Sequence, residues 1–159
     1  FGVISTPIQR RMDFKFRKVR DIQDIFVAGK KFEYLAERQL SYKDLETLPV
    51  MCLEGNTSTR AYVEGFLREN GVHLQPEFEL ATSDMLIRFA MRGFGIAGVA
   101  EDFALEAMEK GEIFRLHFDR EIPKRHFCIV TDEKVPMTAA ARRFLNLLED
   151  KCTHDKHKT

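Results

Sequence analysis

The chain has 159 residues, enough for one domain or for two small lobes formed by one polypeptide. Its residues are 44% hydrophobic and 31% charged, and the formal net charge of +0 leaves no basic footprint for binding nucleic acid. No apolar run approaches the roughly 20 residues that a membrane-spanning helix needs, which argues against a membrane protein.

The cysteines indicate a reducing compartment. Cys52, Cys128 and Cys152 are odd in number and lack the spacing of a disulfide framework. Cys52 and Cys128 lie in apolar runs, which predicts buried thiols. The opening FGVISTPIQRR places apolar residues before basic ones, the reverse of a signal peptide. We therefore expect a cytoplasmic protein.

Hydrophobic periodicity predicts alternating strands and helices along much of the chain. The predicted strands cover residues 1–5, 19–29, 49–53, 78–82, 95–99, 113–118 and 126–131, and the predicted helices cover 59–70, 83–92, 100–110 and 138–150. Residues 10–18 are expected to be extended, whereas 31–46 are polar and irregular. The alternation from 49 to 118 predicts a mostly parallel sheet with helices on both faces.

The stretch SDMLIRFAMRGFGIAGV, residues 83–99, is central to this pattern. Thr82 or Ser83 can cap a helix with one apolar stripe, and Gly93 suits the left-handed position at its end. The uncharged run 95–99 then predicts a strand buried on both faces. In the predicted helix over 59–70, Gly65 suggests close packing, because glycine inside a helix costs about 1 kcal/mol relative to alanine.

Two predicted strand-to-helix turns carry hydroxyl side chains. One contains Asn56, Thr57, Ser58 and Thr59, and the other contains Thr82 and Ser83. Hydroxyl groups and unpaired backbone N–H groups at a helix N-terminus suit an anion such as a carboxylate. The alternative is that these residues only cap their helices, and both interpretations remain open.

Enzymatic motifs are missing from the sequence, which contains no GxSxG, P-loop, HExxH or GxGxxG pattern. His73, His117 and His126 stand alone, and His154 and His157 lie in a charged tail. We therefore expect no enzyme, no metal site and no cofactor. A small hydrolase that uses a cysteine or a histidine is the alternative left open.

Several segments in order resemble the effector-binding domain of LysR-type transcriptional regulators. The resemblance covers residues 1–149 and rests on FGVI (1–4), LPVM (48–51), TSTR (57–60), ENG (69–71), TSDM (82–85), RGFGIAGV (92–99) and MTAAARRFL (137–145). It implies an α/β fold like that of periplasmic binding proteins, with two small lobes, mostly parallel sheets and flanking helices. The implied division is 1–22 in lobe I, 23–41 as a crossover, 42–118 as lobe II, 119–150 as crossover and return to lobe I, and 151–159 as a disordered tail.

The resemblance also implies a function. In that family a small polar metabolite, often a carboxylate, binds between the lobes and changes the arrangement of a dimer or tetramer. Promoter DNA is bound by an N-terminal winged helix, which this sequence lacks together with the first part of lobe I. The implied effector-binding residues are Thr57, Ser58, Thr59, Thr82, Ser83, Ser5 and Thr6.

Glu54 is a complication at this implied site, since an unpaired carboxylate would repel an anion. Either Glu54 turns away, toward Arg60, or the effector carries an amine. The alternative function from another class is a solute-binding module of the periplasmic type without a DNA-binding role.

Overall fold

The computed structural model describes residues 2–7, 14–132, 134 and 136–154, and only the backbone of 149–154. Its strands are β1 (Gly2–Ser5), β2 (Phe14–Ile22), β3 (Asp24–Gly29), β4 (Gln39–Leu40), β5 (Val50–Leu53), β6 (Phe78–Leu80), β7 (Ile96–Ala100), β8 (Ile113–Arg115), β9 (His117–Phe118) and β10 (Arg125–Asp132). Its α-helices are α1 (Ser58–Glu69), α2 (Ser83–Met91), α3 (Glu101–Glu109) and α4 (Ala139–His154). The chain divides into two compact units, one within Phe1–Ile22 and Arg125–Thr159 and the other Gln23–Lys124.

The first unit contains a three-stranded sheet in the order β1-β10-β2. Both pairings are antiparallel, with Ile4 opposite Cys128 and Cys128 opposite Lys18. The α/β class predicted from sequence is confirmed, but this sheet differs from the mostly parallel sheets that were expected. The side-chain period of a strand is two in either orientation, so the sequence pattern does not encode strand direction.

Helix α4 belongs to the first unit. It begins after Thr138, whose Oγ1 accepts a 3.2 Å hydrogen bond from the Ala141 N–H. The helix packs against β2 and buries Leu145. It continues to His154, so residues 151–154, predicted as part of a disordered tail, are helical. Residues 155–159, like the side chain of Cys152, lie outside the described part.

The second unit contains a five-stranded sheet in the order β6-β5-β7-β3-β8. Strand β5 pairs in parallel with β6 and with β7, whereas β3 pairs antiparallel with β7 and β8. Strand β3 lies within 23–41, the predicted crossover, and it completes this sheet between two neighbours. The second unit therefore starts at Gln23 and ends at Lys124, where the prediction for lobe II was 42–118.

The helices of this unit pack on opposite faces of the sheet. On one face, Val50 and Cys52 of β5 join a core with Val63 of α1. On the other face, Met51 of β5 joins a second core with Leu86 of α2 and with residues of α3. Successive β5 side chains point to opposite faces, and every residue of β5 and β7 is buried, as predicted for strands covered on both sides.

Two glycines of this unit occupy positions that a side chain would strain, one by its backbone conformation and one by a close contact. Gly93 has φ 73° and ends α2, which confirms its predicted left-handed conformation. A Cβ on Gly29 would lie 2.1 Å from the carbonyl oxygen of Ala90, so β3 meets the end of α2 closely. The close packing predicted around Gly65 is wrong, because a Cβ there would meet nothing within 4 Å.

The strand predicted over 113–118 is divided in the structure. Strand β8 pairs with β3, whereas β9 pairs in parallel with β4 in a separate two-stranded sheet. Between them, the Leu116 N–H donates a 2.9 Å hydrogen bond to Phe26 O. Apolar and polar residues are mixed along 113–118 with no turn residue between them, so only the change of pairing partner reveals the break.

Candidate ligand-binding site

The turns that follow β5 and β6 lie next to each other at one edge of the second unit's sheet. The two strands are parallel neighbours with Leu53 opposite Leu80, the last residue of each. The Glu54 N–H, just beyond β5, donates a 3.1 Å hydrogen bond to Leu80 O. The hydroxyl-bearing turns 54–59 and 81–83 therefore share this edge, which we call the carboxyl edge.

The carboxyl edge includes a topological switch point. The chain passes from β5 through α1 to β6, and then back through α2 to β7 on the other side of β5. Helix α1 packs on one face of the sheet, whereas α2 and α3 pack on the other. Open α/β sheets bind ligands where helices after neighbouring strands diverge in this way.

Thr57 is the N-cap of α1. Its Oγ1 accepts a 3.2 Å hydrogen bond from the Arg60 N–H and donates one of 3.1 Å to Glu54 O. The Thr57 N–H also donates to Glu54 O. The hydroxyl proton is therefore engaged within the turn, so Thr57 shapes the turn in the capping role considered from sequence.

Thr82 has the corresponding role at α2, where its Oγ1 accepts a 3.3 Å hydrogen bond from the Met85 N–H. Ser83 is the first residue of α2, and Ser58 and Thr59 are the first two of α1. Ser58 is exposed, and Thr59 and Ser83 are partly exposed. The structure thus brings five of the predicted residues to one edge, two as caps and three in first helical turns.

Arg60 is a buried cation under this edge that sequence reasoning did not select. Its side chain is 7% exposed, and Nη1 donates a 2.9 Å hydrogen bond to Leu53 O. Nη2 lies 2.7 Å from a Glu64 oxygen and 3.2 Å from a Glu79 oxygen. Burial alone would lower the pKa of Arg60, but the Glu64 hydrogen bond and the neighbouring charges raise it on balance. The i, i+4 spacing of Arg60 and Glu64 was the available sequence signal.

Glu54 does not take Arg60 as its partner. The guanidinium of Arg60 pairs with Glu64 and Glu79, and Glu54 is exposed in the turn after β5. The alternative in which Glu54 turns toward Arg60 is therefore not observed. A carboxylate remains at this turn, where it disfavours a purely anionic ligand.

Helix α3 is a third element that begins at the carboxyl edge, after β7. The Glu101 N–H donates a 2.8 Å hydrogen bond to Gln23 O, at the start of the second unit. The Glu101 carboxylate accepts a 2.9 Å hydrogen bond from Arg115 Nη1, and Arg115 Nη2 lies 2.6 Å from a Glu121 oxygen. This ion-pair network joins three separate segments of the chain, so only the fold reveals it.

Ser5 and Thr6, the other predicted residues, lie in the first unit at the end of β1. Ser5 is opposite Phe127 in β10. Thr6 Oγ1 accepts a 2.9 Å hydrogen bond from the His126 N–H and lies 3.2 Å from the His126 carbonyl oxygen, to which it donates. Thr6 is thereby fixed at the start of β10.

The thiol of Cys52 and the hydroxyl of Tyr42, both buried in the second unit, are poorly suited to act as nucleophiles, because burial keeps them protonated. Burial raises the pKa of the Cys52 thiol to about 11, and burial together with Asp119 raises the pKa of Tyr42 to about 12. The buried state predicted for Cys52 and Cys128 is confirmed. In the described part of the chain, no cluster of histidine, cysteine and acidic residues could hold a metal ion, and no helix is long and apolar enough to cross a membrane.

Comparison with known protein families shows which family this architecture represents. The family model for the LysR substrate binding domain matches residues 1–153. This chain belongs to the LysR substrate-binding domain family. The resemblance inferred from the ordered sequence segments is therefore confirmed. A comparison with curated protein sequences finds no match.

Solved regulatory and effector-binding domains share the fold of this LysR substrate-binding domain. The Synechocystis PCC6803 CcmR regulatory domain in complex with 2-PG is 16% identical, with a TM-score of 0.78 over 92% of this chain and 70% of that one. The QuiR effector binding domain with shikimate is 9% identical, with a TM-score of 0.77 over 99% and 73%. The apo HypT regulatory domain from Salmonella typhimurium is 18% identical, with a TM-score of 0.68 over 91% and 68%.

Proposed function

We propose that this chain is the small-molecule-sensing domain of a LysR-type transcriptional regulator and binds its effector at the carboxyl edge. The observation that carries the proposal is the side-by-side placement of the turns after β5 and β6 at a switch point. Similar domains have been solved with 2-PG and with shikimate, which supports a small polar metabolite as the effector.

The first turns of α1 and α2 are proposed to supply the contacts. Their backbone N–H groups lack intrahelical acceptors and suit a carboxylate. Ser58, Thr59 and Ser83 are placed to add hydroxyl groups, whereas Thr57 and Thr82 hold the turns through their cap bonds. Ser5 and Thr6 stay a prediction from the family resemblance alone.

The charges of these turns favour an effector that also carries a positive group. Glu54 is exposed between β5 and α1, and Asp84 lies exposed in the first turn of α2. A simple dianion would meet both carboxylates, whereas an amine would be attracted by them. An amino acid or another amine-bearing carboxylate is therefore favoured over a dicarboxylate.

The proposed role is binding without turnover, in the cytoplasm. The raised pKa of Cys52 disfavours the cysteine hydrolase considered from sequence, because the thiolate is the nucleophile. Promoter binding is assigned to a winged-helix domain outside this sequence, and self-association to a dimer or tetramer accompanies it. The similarity to regulatory domains favours this function over a periplasmic solute-binding module.

A ligand panel tests the proposal. Thermal shift and isothermal titration against amino acids, amines, monocarboxylates and dicarboxylates should identify a compound bound with a stoichiometry of one per chain. Ser58→Ala and Ser83→Ala should each weaken it about 5- to 20-fold, the effect of losing one or two hydrogen bonds. Thr47→Ala is the matched control, because Thr47 precedes the amino end of β5 and bonds only locally. Binding unaffected by both serine variants would exclude the carboxyl edge.

A further inference from the structure

Residues 120–123, which we call the return segment, are held by four side chains from different parts of the second unit. The segment follows β9 and leads through Lys124 to Arg125, where the first unit resumes. The four contacts are Tyr42 Oη to Arg120 O at 2.8 Å, Arg115 Nη2 to Glu121 Oε1 at 2.6 Å, Gln23 Nε2 to Ile122 O at 2.8 Å, and Tyr62 Oη to Pro123 O at 2.8 Å. Each residue of the segment therefore has its own partner.

Two of these partners are connected to helices that begin at the carboxyl edge: Tyr62 is part of α1, and Arg115 is hydrogen-bonded to α3. Tyr62 lies in α1, five positions after the cap residue Thr57. Arg115 holds Glu121 with one nitrogen and, with another, Glu101, the first residue of α3. The other two contacts come from Tyr42, in a 3-10 helix, and from Gln23, next to β3. The return segment is thus joined to the candidate site by two separate routes.

We propose that Tyr62 and Arg115 are positioning residues that transmit changes in the first turns of α1 and α3 to the return segment. This proposal rests on the proposed function, since it assigns the regulation of that same site. The physical basis is that a short helix moves as one body, whereas a hydrogen bond weakens steeply when its geometry is disturbed. A ligand that shifts the start of α1 would alter the Tyr62–Pro123 bond.

The hydroxyl of Tyr62 can be removed without disturbing a packed core. Tyr62 is partly exposed, and its hydrogen bond to Pro123 is at the surface. Tyr34, 63% exposed in a 3-10 helix, provides the matched tyrosine control because its contact is through its ring, to Phe32. Tyr62→Phe and Tyr34→Phe thus remove the same atom at two surface sites.

Hydrogen exchange of the ligand-free protein tests the α1 route. Tyr62→Phe should speed amide exchange in a peptide covering the return segment about 2- to 10-fold, as expected for one lost hydrogen bond. Exchange in β5 and β7 serves as the internal reference. Tyr34→Phe should leave the return segment at the wild-type rate. An unchanged rate in Tyr62→Phe would overturn the proposal for α1.

A double-mutant cycle separates transmission from simple anchoring. Thr57→Ala removes the α1 cap and should also speed exchange in the return segment, but it should add nothing in the Tyr62→Phe background. If the two effects instead multiply, Tyr62 is only an anchor and the proposal is wrong. Glu101→Gln and Arg115→Gln test the α3 route by the same criterion. These measurements use no ligand, so their outcome is independent of the metabolite panel that tests the proposed function.

Discussion

Arg60 Nη1 donates a 2.9 Å hydrogen bond to the carbonyl oxygen of Leu53 inside the second unit. Leu53 ends β5, and Arg60 lies in the first turn of α1, so this bond closes the turn of residues 54–57 from below. The same guanidinium reaches Glu79 of β6. One buried side chain thus joins both strands whose ends form the candidate site.

Replacing Arg60 should destabilise the protein strongly. Arg60→Met would leave Leu53 O without this donor and would leave Glu64 and Glu79 without their cation. We expect a loss of about 2–3 kcal/mol in the free energy of unfolding. This is less than the largest losses seen when one partner of a fully buried ion pair is removed, because both glutamates are partly exposed. Arg68→Met, an exposed change on the same helix, should stay within about 0.5 kcal/mol. Urea denaturation provides the comparison, and equal losses in the two variants would contradict the role of Arg60.

The stability lost when the N-cap of α1 is replaced should come from the hydroxyl group of Thr57 and not from its methyl group. Thr57→Ala removes the acceptor of the Arg60 N–H and should cost about 1 kcal/mol of stability. Thr57→Ser keeps an oxygen at the cap and should recover most of this loss. Both values can be measured by urea denaturation at neutral pH. A serine variant as unstable as the alanine variant would show that the methyl group, not the cap bond, matters.

Replacing Gly29 or Gly65 by alanine should change the stability of the protein in opposite directions, because only Gly29 is closely packed. A Cβ on Gly29 would clash with Ala90 O, so Gly29→Ala should cost about 3 kcal/mol or more. Gly65 lies in α1 with open space around it, so Gly65→Ala should gain about 0.5–1 kcal/mol from helix propensity. Thermal unfolding of the two variants provides the test. Destabilisation by Gly65→Ala would show that the space around α1 is occupied.

The stability of the protein should fall at alkaline pH, because burial keeps the Cys52 thiol and the Tyr42 hydroxyl protonated in the folded state. The pKa of Cys52 is raised from 9.0 to about 11 and that of Tyr42 from 10.0 to about 12. Above pH 9 the unfolded chain loses protons that the folded chain retains, so unfolding becomes more favourable. The Cys52 contribution is fully present below pH 9 and is lost between pH 9 and about 11.

Replacing Cys52 with alanine tests how much the thiol contributes to the pH dependence of stability. The variant will be less stable at neutral pH because it loses buried volume, but its stability should fall less steeply from pH 9 to about 11. The measurement is the midpoint of urea unfolding as a function of pH, with Tyr42→Phe compared over pH 10 to about 12. An identical pH profile in wild type and Cys52→Ala would contradict a protonated, buried thiol.

Local pattern was sufficient to predict most elements of the second unit and both hydroxyl-bearing turns. The caps Thr57 and Thr82, the left-handed Gly93 and the doubly buried β7 all depend on residues close in sequence. The order of segments such as TSTR and RGFGIAGV was also sufficient to indicate the family, which the match over residues 1–153 confirms.

Tertiary structure decided strand direction, ion-pair partners and the side chains that hold the return segment. A period of two does not distinguish parallel from antiparallel neighbours, so the antiparallel β3 and the antiparallel first-unit sheet were not predicted. Partners such as Arg60 with Glu79, or Tyr62 with Pro123, are 19 and 61 positions apart. Such contacts exist only after the chain has folded back on itself, because side-chain periodicity reports which face is buried but not what lies against it.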